Sequence, residues 1–135
     1  MEFSGFNPPA IGAATIAAFI FGSIYYGTLS KPWMKAAGIS PQSASMKPSI
    51  FAITLVCEIV MAIMLAGLIG HLGDDQVTLR NGVISAFFVW LGFVLTTLTI
   101  NHRYSGKGWD LTLIDGGHWL GVLLIMGAVI GYIGL

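Results

Sequence analysis

The sequence predicts an all-α fold, a four-span transmembrane helix bundle with short connections, and three observations predict it. Hydrophobic residues make up 56% of the 135, charged residues 9%, and mean hydropathy is +0.84. A soluble domain carries roughly 25% charged residues and could not cover its surface with so few polar side chains. Four apolar stretches each approach the ~20 residues that a helix needs to cross a bilayer. The charges fall between those stretches or, as Arg80 does, at their ends, and Glu58 alone lies near the middle of one. A chain of this length forms one integral-membrane domain, residues 1–135.

The elements follow in order. Phe3 to Ser30 contains no Asp, Glu, Lys or Arg, and Pro8-Pro9 suits a helix start, where a missing N–H costs nothing. Helix 1 is expected over about residues 9–29. A signal peptide would need a basic leading region, whereas the early charge is Glu2, so this segment is expected to stay. Ala14, Ala18 and Gly22 recur every fourth residue, a small-residue face that lets another helix approach closely. Tyr25, Tyr26 and Trp33 form an aromatic belt at the boundary. Ser30-Lys31-Pro32 begins a short interfacial helix that stops at Gly38.

Helix 2 is expected over 48–72, starting at Pro48, and the Gly73-Asp74-Asp75 turn joins it to helix 3 over 78–101 as a tight antiparallel hairpin. A connection containing His102, Arg103, Gly106, Lys107, Gly108, Trp109 and Asp110 leads to helix 4 over 116–135. Lys31, Lys35, Lys47, Arg103 and Lys107 share one side of the membrane and Arg80 the other. The positive-inside rule then places both termini on the non-cytoplasmic side of a cytoplasmic (inner) membrane. The two halves share a helix with a glycine (Gly22, Gly92) followed by a basic connection with a tryptophan (Trp33, Trp109), a weak echo that chance composition explains better than a true repeat.

Net charge is zero and no basic cluster interleaves with aromatics, which excludes a nucleic-acid partner. A lone Cys57 excludes an internal disulfide. His71, His102 and His118 lack the spacing of a metal site, and no phosphate loop, haem or flavin motif or recognisable catalytic triad occurs, so neither metal nor cofactor is expected.

Glu58 carries the strongest functional signal. It lies near the centre of helix 2, where an ionisable group costs about 2.5–3.5 kcal/mol on insertion scales. The polar residues of all four helices also gather in the cytoplasmic halves, a gradient that a cytoplasm-facing cavity ending at Glu58 would produce. Candidate ligand-binding residues are Glu58, Thr54, Tyr25, Tyr26, Trp90, Asp115 and His118; aromatic faces with a carboxylate suit a cation or amphiphile. Asp115 and His118, three apart, share a helix face and could pair, although Asp115 also suits a helix N-terminus. Gly117, Gly121, Gly127 and Gly131 form two GxxxG pairs for helix packing, within the bundle or against another subunit.

Two functions remain open. One is a small binder or transporter centred on Glu58. The other is a non-catalytic subunit or assembly factor, a homo-oligomer or part of a membrane complex, in which protonated Glu58 bonds a neighbouring helix. An enzyme acting on membrane lipid is a weaker third.

The segment from Gly22 to Lys35, GSIYYGTLSKPWMK, resembles the signature of an uncharacterised bacterial membrane family, domain of unknown function 1761. That pattern has a glycine before an aromatic–Tyr pair and a tryptophan in the basic connection; Tyr25 stands where tryptophan is more usual. Trp90-Leu91-Gly92-Phe93 is similar to a second block. The resemblance implies a four-helix membrane protein and supplies no activity.

Overall fold

A computed structural model of the chain describes residues 6–43 and 47–135. Among the described residues five helices, besides a 3-10 turn at Asp74–Gln76, make the fold: α1 (Pro8–Thr28), α2 (Ser30–Ala37), α3 (Pro48–Gly70), α4 (Leu79–Tyr104) and α5 (Trp109–Ile133). All but α2 are long and apolar enough to cross a membrane.

Local chemistry sets most of the ends. Asn7 caps α1, accepting from the Ala10 N–H, and Pro8 and Pro9 fill the first turn. Asn7 also donates to the Gly134 carbonyl at 2.8 Å, tying the start of α1 to the end of α5. The expected interfacial helix forms as α2 and ends on Gly38 at φ 72°. Lys47, on the near side of Pro48, adopts the extended conformation that a following proline favours. Thr78 caps α4 through the Asn81 N–H at 3.2 Å.

The last span differs from expectation: α5 begins at Trp109, not near 116, and α4 runs to Tyr104 rather than 101. The reversal between them needs few residues because Gly106, at φ 71°, lets Lys107 N–H reach back to the His102 carbonyl at 2.8 Å. Asp110 in the first turn of α5 favours a helix N-terminus, and Thr112 is held from α4 by His102 and Arg103.

Within the bundle, α5 is the hub, packing most extensively on α4 and α1, with α3 lying mainly against α1. Backbones meet at the α4–α5 seam: a Cβ at Gly82 would collide with the Gly127 carbonyl, one at Gly127 with the Gly82 carbonyl, and one at Gly131 with Thr78. On the α1–α5 seam the Phe21 ring occupies the side-chain space of Gly121, and Tyr25 that of Gly117. Ala14, Ala18 and Gly22 are buried on α1. The small residues therefore serve packing inside the chain. The buried stripe of α3 is Glu58, Ala62, Leu65, Ala66, Ile69 and Gly70. Its other half, from Pro48 to Cys57, buries no residue.

Candidate functional site

Polar side chains converge at the end of the bundle carrying Lys31, Lys35, Arg103 and Lys107. Lys107 Nζ donates to the Ala37 carbonyl at 2.7 Å, clamping the end of α2 to the α4–α5 turn. At the centre is Asp115 on α5. Its Oδ1 accepts from the Tyr26 hydroxyl at 2.7 Å and from Trp33 Nε1 at 3.1 Å, and its Oδ2 lies 3.5 Å from His102 Nε2. One carboxylate thus joins α1, α2, α4 and α5.

The proton positions follow from the partners. Arg103 Nη2, a donor only, bonds Thr112 Oγ1 at 2.9 Å and the Gly108 carbonyl at 2.8 Å. The Thr112 hydroxyl is left to donate to His102 Nδ1, 2.9 Å away. Nδ1 then accepts, so neutral His102 carries its proton on Nε2, facing the carboxylate of Asp115. Thr112, His102 and Asp115 form a directed hydrogen-bond relay. Thr112 is 2% exposed, so the relay holds the helices rather than presenting a nucleophile.

One turn deeper, His118 is enclosed by rings. Tyr26 lies at 4.5 Å between centroids, Trp119 at 4.6 Å, Tyr25 at 5.7 Å and Phe21 at 6.3 Å. Gly22 makes room for it, since a Cβ there would sit 2.8 Å from His118 Nε2. His118 Nδ1 is buried without a hydrogen-bond partner. Asp115 and His118 share a helix face, but the imidazole that faces the Asp115 carboxylate is that of His102. With α5 beginning at Trp109, Asp115 lies in the second turn, beyond the first turn where an acid caps a helix; Asp110 holds that place.

Tyr25 and Trp90 brace the bundle through their polar atoms, while Thr54 and Glu58 stand apart on α3. Tyr25 donates to the Ile114 carbonyl at 2.7 Å and Trp90 Nε1 to the Gly116 carbonyl at 2.9 Å, each fastening a neighbouring helix to α5. Thr54 donates back to Ile50 at 2.8 Å, satisfying its hydroxyl within α3. Glu58 is 1% exposed, its Oε2 has no hydrogen-bond partner, and no ion pair reaches it among the described residues. It lies about ten residues, or ~15 Å, along α3, and His118 about nine residues, or ~14 Å, along α5, each counted from the basic end.

Sequence reasoning missed His102, Thr112 and Arg103 as members of this cluster. The signal available was the Gly106-Lys107-Gly108 reversal, which brings the last turn of one helix against the first turn of the next. Among the described residues, no group of three or more His, Cys, Asp or Glu side chains is arranged to hold a metal ion.

Fold and site together define a class: four membrane-capable helices around a buried carboxyl, an aromatic-boxed histidine and a polar latch at the basic end. The chain belongs to the family described as Protein of unknown function (DUF1761), whose profile matches residues 9–131. No curated protein and no solved structure matches it.

Proposed function

We propose that the protein binds or carries a lipophilic or amphiphilic cation within the cytoplasmic membrane, with Glu58 as its counter-ion and both termini on the non-cytoplasmic side. The observation that carries this reading is the isolation of the Glu58 carboxyl, buried to 1% exposure with no hydrogen bond or ion pair among the described residues. A structural glutamate at this depth would donate to a neighbouring helix, and Glu58 does not. A lone carboxylate in hydrocarbon is costly enough that the group stays neutral until a cation arrives. Binding would then exchange a proton for the ligand.

The ring faces of Phe21, Tyr25, Tyr26 and Trp119, nearer the basic end than Glu58, suit a cation approaching from that side. Docking through the glycine faces, the mode an assembly factor would use, is disfavoured because Gly117, Gly121, Gly127 and Gly131 are engaged inside the chain. Membrane lipid then covers the apolar residues of α3 and α4.

The test is equilibrium binding of dodecyltrimethylammonium to protein in a non-ionic detergent. Glu58→Gln is expected to keep the thermal stability of the parent and to weaken binding at least tenfold. Equal binding by a folded Glu58→Gln protein contradicts the reading.

A further inference from the structure

We propose that Arg103 and the outer groove of α4 form a site for one phospholipid, its phosphate on the guanidinium and an acyl chain along the groove. The Arg103 side chain is partly buried, with its Cζ 3.9 Å from the centroid of the Trp109 ring. Only Nη2 is hydrogen-bonded, to neutral oxygens of Gly108 and Thr112. Nε and Nη1 are buried without partners.

No carboxylate answers this cation among the described residues. Asp115 is taken by His102, Tyr26 and Trp33; Asp110 accepts from Leu111 N–H; Asp74 and Asp75 lie at the opposite end. A guanidinium with two unanswered nitrogens calls for an anion, and a tetrahedral oxyanion fits its planar donor set once the side chain tilts from the Trp109 ring to open Nε and Nη1. Arg103 occupies the last turn of α4 beside Trp109, where lipid phosphates lie in a bilayer.

The second observation is the groove itself, of about 330 Å³ and lined by Leu91, Leu95, Thr96, Thr99 and Ile100. Its two threonines present no free donor, because their hydroxyls turn back to the Gly92 and Leu95 carbonyls. The surface offered is hydrocarbon. Steps of four carry the lining from Leu95 through Thr99 to Arg103, so groove and cation share one face of α4. From Leu91 to Arg103 is ~18 Å of helix, the scale of an extended acyl chain under its headgroup. The inner end of the groove coincides with a π-helical segment, Trp90–Leu95, an irregularity that widens a helix and recurs at binding sites. This site does not depend on Glu58 and can fail separately.

Protein stripped of lipid in a non-ionic detergent is titrated with phosphatidylglycerol, or with inorganic phosphate, and bound molecules are counted by native mass spectrometry. One phosphatidylglycerol per chain is expected. Arg103→Gln is expected to weaken it at least tenfold and Arg103→Lys less, with unchanged helical signal as the folding control. Leu91→Trp, which fills the groove from an exposed position, is expected to weaken lipid while sparing inorganic phosphate; loss of phosphatidylglycerol without any phosphate binding still supports the lipid site. Equal lipid retention by parent and Arg103→Gln overturns the proposal. So does inorganic phosphate binding as tightly as lipid, which would make the chain irrelevant.

Discussion

Replacing Gly127 by alanine should separate packing inside the chain from packing between chains. A Cβ at Gly127 would meet the carbonyl carbon of Gly82 at 2.8 Å and Ala86 Cβ at 2.9 Å, and would also press on the Gly82 carbonyl oxygen. Ordinary carbon–carbon contacts need about 3.5–4.0 Å, so α4 and α5 must part by roughly 1 Å at their closest approach. Overpacking of this kind costs about 1–3 kcal/mol, offset by the ~0.5–1 kcal/mol that alanine gains over glycine within a helix. The net expectation is a loss of about 1–2 kcal/mol. Gly12 and Gly27 supply the controls, because nothing lies within 4 Å of a Cβ at either; alanine there is expected to be neutral or mildly stabilising. Reversible unfolding in mixed micelles, followed by circular dichroism, measures the difference. If Gly127→Ala unfolds like Gly12→Ala but dissociates an oligomer, the seam lies between copies and the packing described above is refuted.

Asp115→Ala removes the shared acceptor of Tyr26, Trp33 and His102 and is expected to cost about 2 kcal/mol or more, because several half-buried donors lose their partner together; unchanged unfolding would dissolve the latch. Imidazole ¹⁵N shifts should place the proton of neutral His102 on Nε2, and a proton on Nδ1 would reverse the relay. Gly22→Ala presses on His118 Nε2 from 2.8 Å and should displace the ring, seen as a shift of the His118 imidazole resonances; an unmoved ring would show that the box is looser than described. Cys57, exposed on α3 in mid-span, should resist maleimide in vesicles, where hydrocarbon keeps the thiol protonated, and react after the bilayer is dissolved and the chain denatured; labelling by a charged impermeant maleimide in vesicles would take α3 out of the bilayer.

Much of the fold was legible because hydrocarbon imposes it. Length and apolarity placed four spans, and proline at 8, 9 and 48 marked two of their starts. The onset of α5 was not legible: Trp109 to Leu113 is mixed in polarity, and what makes it helical is tertiary, the grip of His102 and Arg103 on Thr112. The same shift explains Asp115. Read as lying at a helix start it suits a cap; within the second turn it becomes the acceptor for three other elements. Tyr25, Tyr26, Asp115 and His118 come together at one end of the bundle. Thr54 does not join them, since a threonine in a helix satisfies itself four residues back. The glycine pairs were visible as close-approach faces, while the partner of each, Gly82, Thr78, Phe21 or Tyr25, depends on which helices become neighbours.

The central claim concerns the chemical state of one carboxyl, and isotope-edited infrared spectroscopy reads it directly. Glu2 and Glu58 are the two glutamates of the sequence, so a Glu2→Gln chain labelled with ¹³C-glutamate reports Glu58 alone. The expected spectrum is a protonated carbonyl band of a weakly hydrogen-bonded acid. Saturating dodecyltrimethylammonium should replace it with carboxylate bands. A band shifted as for a strong hydrogen bond, and unmoved by the cation, would make Glu58 a structural link between helices and contradict the proposed function.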